Sequence, residues 1–177
     1  GCAAFCNNAS SPLISNCKFR KNTAERGGAS YCGHSSNPMI TNCYFVENTA
    51  GLGGAIALEF SSSPTIIDCT FVQNTAAGGG AILTGPFTKP LLDNCRFVGN
   101  MAAHNGGAIY NSGSQPRLVN CIISYNVVTS EQHNPYLMMG GGGIFNDRGA
   151  CPVLENCVLE HNSAAHQYGG GILYNAT

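Results

Sequence analysis

The side chains able to do chemistry are few, and most recur at one spacing. Ten cysteines, five histidines and nine carboxylates are spread over 177 residues. Cys17, Cys43, Cys69, Cys95 and Cys121 follow one another in steps of 26, and Cys157 comes after a step of 36. Thiols so placed admit three chemistries: free buried thiols packing as small hydrophobes, disulfides between stacked units, or a metal site. No Cys-x-x-Cys pair supports the last. Cys6 and Cys32 form a separate, shorter series in which a bridge is better placed. In the one irregular stretch, 127–139, Glu131 and His133 lie between His104 and His166, which occupy the matching turn of the flanking units. They supply carboxylate and imidazole donors for a metal, but polar turn residues need no metal, and none is assigned. Tyr136, Leu137 and Met138 of the same stretch are expected to fold back over the body or to meet a partner.

The spacing itself says what must position these groups. Prolines keep the same beat at Pro12, Pro38, Pro64, Pro90, Pro116 and Pro152. Asparagines keep it at Asn22, Asn48, Asn74, Asn100, Asn126 and Asn162. Three residue types in one register over six units define an internal repeat. Each unit reads Gly-Gly-Ala-Ile, a polar turn, then Pro-x-Ile-x-Asn-Cys-x-Phe-x-x-Asn-x-Ala, as at Gly53–Ile56 and Gly79–Ile82. No helical spacing of apolar residues appears. Short β-type runs such as Ile66-Ile67, Cys69-Thr70-Phe71-Val72 and Ala81-Ile82-Leu83 alternate with Gly, Pro, Asn and Ser. Three short strands and three turns per unit predict an all-β fold, a parallel β-helix of six to seven coils of about 26 residues, which the resemblance given below makes a right-handed parallel β-helix. The spaced leucines of a leucine-rich repeat are missing, and a WD-type blade needs about 40 residues. Residues 1–177 then form a single β-helix domain, with 127–139 protruding from coil five.

Read down the stack, each column acquires a physical role. Ile14, Ile40, Ile66, Leu92, Leu118 and Leu154 are core. Phe19, Phe45, Phe71 and Phe97 place rings one above another, followed by Ile123 and Leu159. The Asn22 column is expected to take a left-handed backbone at a tight bend and to pass amide hydrogen bonds from coil to coil. A second amide column (Asn16, Asn42, Asp68, Asn94, Asn120, Asn156) marks another bend. The Gly pairs supply positive φ or close coil-to-coil approach.

The alternation of Phe19-x-x-Asn22, Phe45-x-x-Asn48, Phe71-x-x-Asn74 and Phe97-x-x-Asn100 with Gly-Gly-Ala-Ile resembles the paired repeat of the chlamydial polymorphic outer-membrane proteins. It is similar, more broadly, to the right-handed β-helix repeats of secreted bacterial proteins in the pectate-lyase-like superfamily. The first resemblance implies a surface-exposed adhesin passenger. The second implies lyases and hydrolases of acidic polysaccharides, which need several carboxylates on neighbouring coils to hold calcium or form an acid/base pair. Here Asp68 and Asp93 fall in adjacent columns with no third acid, and Asp147 and Glu155 have no basic partner in their own columns. Lys21 and Glu47 share a column and form a surface ion pair. Such an enzymatic site does not assemble.

Composition closes off further classes. Charged residues make up 10% of the chain and the net charge is −1, which leaves no basic footprint for nucleic acid. No apolar run is long enough to span a membrane as a helix. Because Gly1 and Thr177 fall inside the pattern, the chain is expected to be a segment of a longer solenoid, partnered by adjacent coils or by copies stacked end to end. The expected function is non-enzymatic: a rigid rod of a secreted or cell-surface protein, for display or adhesion toward cell-surface glycans or host receptors. An extracellular filament subunit is the first alternative. A polysaccharide lyase or hydrolase with its active site outside this segment is the second.

Overall fold

The computed structural model describes residues 2–129, 139–165 and 168–174. The chain winds into a solenoid whose coils contribute strands to four parallel sheets. Sheet A stacks Ala4–Cys6, Ser30–Cys32, Ile56–Leu58, Ile82–Thr84, Ile109–Ser112, Ile144–Asp147 and Ile172–Tyr174. Sheet B runs from Leu13–Ser15 to Val153–Glu155, sheet C from Lys18–Arg20 to Val158–Glu160, and sheet D from Thr23–Arg26 to Ser163–Ala164, with six strands each. Successive coils are in register, so Ile40, Ile66 and Leu92 stand directly over one another, as do Phe45, Phe71 and Phe97.

Four strands per coil replace the three expected. The strand that the sequence pattern hides is in sheet D, where Thr75–Gly78 reads Thr-Ala-Ala-Gly. Small residues give no apolar alternation, yet the inward Ala50, Ala76 and Ala102 are buried and make this the thin wall of the prism. The thicker walls come from Ile40, Ile66, Leu92 and Leu118 on sheet B and from the rings on sheet C. Those rings stack at 4.9, 4.8 and 4.7 Å from Phe19 to Phe97, all within 6° of parallel.

The corner between sheets C and D differs from its expected form. The left-handed residue is the one before the asparagine: Lys21, Glu47, Gln73, Gly99, Tyr125 and His161 have φ between 53° and 63°. This frees the asparagine to point inward, where Asn48, Asn74, Asn100 and Asn126 are wholly buried. Each passes its carboxamide to the next coil: Asn74 Nδ2 donates to Asn100 Oδ1 at 2.9 Å, and Asn100 Nδ2 to Asn126 Oδ1 at 2.9 Å. The Asn16 column does take the left-handed backbone itself, with φ of 50–54° along all six members. A left-handed backbone costs an L-residue about 1–2 kcal/mol, and in the first of these columns only Gly99 escapes it. A Cβ on Gly99 would meet nothing closer than Gln73 Cγ at 3.7 Å, so Gly99→Ala isolates the backbone cost. Chemical denaturation of that variant should show a loss of about 1 kcal/mol. No loss would mean that the corner is unstrained.

All ten cysteines are free thiols. Cys43, Cys69, Cys95 and Cys121 are buried, and each donates to the carbonyl two residues back, at 3.2–3.3 Å. Cys17 is exposed and Cys157 half-buried. Cys6 and Cys32 face each other in register, but both remain thiols, against the bridge expected there. In-register parallel strands aim their Cβ atoms the same way, which opposes disulfide geometry. Burial pushes the Cys69 thiol up to about 12, and raises Cys43 and Cys157 as well. An unfolded thiol ionises near 9.0, so alkali draws protons from the unfolded chain first. The Cys69 contribution to stability should therefore hold below pH 9 and be lost between 9 and 12, as thermal scans of the wild type against Cys69→Ala would record. In the same native protein an alkylating reagent should label Cys17 and Cys151, both exposed, while sparing Cys69.

Candidate ligand-binding cleft

Strand alternation turns one residue of each sheet A strand outward, giving the column Phe5, Tyr31, Ala57, Leu83, Tyr110, Phe145 and Leu173. Phe5 and Tyr31 stack at 5.2 Å. In the turn that leaves sheet A, His34 and Phe60 form a second stack at 4.7 Å. Between the two stacks lies a cleft of about 530 Å³ lined by Phe5, Tyr31, His34, Phe60, Arg26 and Glu59, with Asn7 and Glu25 also on its walls. Next to it, Glu59, Phe60, Pro86 and Phe87 enclose a slot of about 310 Å³. Phe60 and Phe87 are 55% and 78% exposed.

A polar knot fixes the cleft floor. Glu59 Oε1 is ion-paired with Arg26, and Glu59 Oε2 accepts the Tyr31 hydroxyl at 3.3 Å. Burial, followed by the negative charge of Glu59, raises the Tyr31 phenol above its ordinary range. Gly33 makes room for that ring, because a Cβ there would stand 2.7 Å from Tyr31 Cε1. The pattern recurs three coils on, where Tyr110 Oη donates to Asp147 Oδ2 at 3.2 Å.

The residues singled out by sequence are dispersed by the fold. Asp68 and Asp93 lie on adjacent coils, where Asp68 N donates to the Asp93 carbonyl at 3.1 Å, and each carboxylate is met by an amide, from Asn94 at 2.6 Å and Asn120 at 3.1 Å. Glu155 does have a basic partner: Arg117, one coil below and two residues along, reaches diagonally to both oxygens at 3.1 and 2.8 Å. That pairing holds the Glu155 carboxyl below its usual range. Lys21 and Arg20 approach Glu47 at 3.4 and 3.5 Å. His104 lies exposed on strand Met101–Asn105. Glu131, His133, Tyr136, Leu137, Met138 and His166 lie outside the described residues. Among the described residues, no group of His, Cys, Asp and Glu is arranged to hold a metal ion.

With the four sheets and the cleft in place, the chain's relationships can be given. Residues 2–177 match the family model described as a right handed beta helix region. The chain belongs to that family. No curated protein and no solved structure matches it. The cleft is lined by residues outside the hydrophobic core of the solenoid. Its signal was present: His34 and Phe60, like Phe5 and Tyr31, are 26 residues apart. What spacing alone does not reveal is which aromatic columns face out.

Proposed function

We propose that this β-helix is a non-enzymatic adhesive rod, displayed outside the cell by a secreted or surface protein. The observation that carries this reading is the pair of solvent-exposed rings, Phe60 and Phe87, held at the edge of the cleft on the turns of successive coils. Apolar rings so exposed suit contact with a partner. The carboxylates support the non-enzymatic reading: Glu59 has both oxygens engaged, and Glu47 and Glu155 are tied to cations. The contacts of these three are with cations and a phenol and not with a second carboxylate, the pairing that acid/base chemistry requires. Secretion draws its support from the resemblance of the repeat to surface-exposed passengers.

The test combines retention with turnover. Beads carrying the protein should be held saturably on surfaces coated with cell-surface glycans or matrix proteins, and the double variant Phe60→Ala/Phe87→Ala should lose that retention. Incubation with acidic polysaccharides should release neither reducing ends nor unsaturated products. Sustained release would replace this reading with an enzymatic one.

A further inference from the structure

The geometry points to a cationic, proline-rich peptide in the polyproline II conformation as the occupant of the cleft and its slot. This rests on the adhesive reading above and names its partner. His34 covers one face of Phe60, and the other face opens on the slot, because the next coil carries Pro86 in that column instead of a ring. The stack is thus one ring short, and Phe87 closes the far side. Phe60 and Phe87 both hold left-handed backbone, with φ of 50° and 63°. Bulky residues seldom accept that conformation, and here it lifts two rings into solvent without burying them.

Three observations select the occupant. First, carbon walls the slot on nearly every side, with Glu59 its only ionisable group. An apolar ring such as pyrrolidine enters it without leaving hydroxyls unpaired, as a sugar would. Second, the cleft presents polar groups suited to an exposed peptide backbone: the Tyr31 hydroxyl, whose oxygen can still accept, and the Arg26 guanidinium. Polyproline II leaves its carbonyls and amides open to such groups. Third, the walls carry two carboxylates, Glu25 and Glu59, against one guanidinium, Arg26, so a Lys or Arg beside the prolines is complementary. The repeat distances also agree. One polyproline turn of three residues advances about 9.3 Å, and two coils about 9.6 Å. Along the axis Tyr31 and Phe87 are two coils apart, so prolines three residues apart match their axial offset.

The probe is a fluorescein-labelled peptide of Pro-Pro-Arg triplets, titrated with the protein and followed by anisotropy. Saturable binding is expected, and Phe60→Ala and Phe87→Ala should each weaken it about tenfold or more. Met39→Ala, on the exposed face of sheet B, should leave it unchanged. Both rings are solvent-facing, and circular dichroism will verify that the variants fold. A Gly-Gly-Arg peptide of equal charge should bind at least about tenfold more weakly, since it lacks both the preformed conformation and the rings. Equal binding of that peptide, unchanged affinity in the ring variants, or no saturable binding of Pro-Pro-Arg overturns the assignment. A neutral oligosaccharide that binds in its place, and is lost with Phe60, also overturns it, while the adhesive reading stands. Loss of surface retention with peptide binding intact does the opposite.

Discussion

Asn74→Ala should lower the unfolding free energy by about 4 kcal/mol, a value reserved for the removal of a buried polar network. The Asn74 carboxamide makes four hydrogen bonds while fully buried. Its Oδ1 accepts from the Asn48 backbone N–H and from Asn48 Nδ2, both at 3.0 Å. Its Nδ2 donates to Phe45 O and to Asn100 Oδ1, both at 2.9 Å. Alanine leaves the Asn48 backbone N–H and one Asn48 Nδ2 hydrogen without partners in a dry corner, each a desolvation cost of about 1–3 kcal/mol, and takes one donor from the Phe45 carbonyl. Asn22→Ala provides the scale, because its side chain donates one bond, to Asn48, and is only half-buried. Its loss should be about 1 kcal/mol. Urea titrations of the two variants decide the matter: equal losses would show that the row of asparagines is not the stabilising element described.

The second large effect comes from adding one carbon atom. A Cβ on Gly80 would sit 2.1 Å from Gly107 O and 2.7 Å from both Met101 N and Met101 O. All three are backbone atoms of the next coil, so no side chain can rotate away. The same contact repeats at Gly54 and Gly107, where a Cβ would lie 2.1 Å from the oxygens of Gly80 and Gly142. Gly80→Ala must therefore push neighbouring coils apart and weaken the bonds Gly80 N–Gly106 O and Ala81 N–Ala108 O, at 3.0 and 2.8 Å. We expect a loss of more than about 4 kcal/mol and rapid amide exchange in the coils on either side. Gly171→Ala, whose Cβ would meet nothing within 4 Å, is the tolerant control. A Gly80 variant that unfolds at the wild-type denaturant concentration would refute the close approach.

Sequence and structure agree most where a side chain's chemistry and its spacing say the same thing. The apolar columns of Ile40 and Phe45 announce burial by type and coil length by interval, and both are as the repeat implies. Disagreement begins where the type is neutral. Thr75–Gly78 forms a strand without looking like one, because its neighbours supply the pairing and the core needs only small groups there. Residues as different as Lys21, Gln73 and Tyr125 adopt the left-handed corner, because the buried asparagine that follows dictates it. The cleft was only partly legible. The intervals from Phe5 to Tyr31 and from His34 to Phe60 were visible, but their outward direction depends on where the turn after sheet A begins, and turns of mixed polar residues do not declare that.

The row of carboxamides gives the molecule an electrical sense of direction. From Asn48 to Asn162 every carboxamide oxygen in the column accepts from the coil before it, never from the coil after. Parallel sheets lack this bias, since neighbouring N–H groups donate alternately up and down, as Gly33 to Cys6 and Ala4 to Ala29 show. Amide dipoles of about 3.5 D therefore add along the axis instead of cancelling, as they do in an α-helix, and each bond polarises the next. A pulsed electric field should orient this solenoid as a permanent dipole, with a birefringence rise slower than its decay. Two such rods brought together lengthwise would attract head to tail and repel head to head.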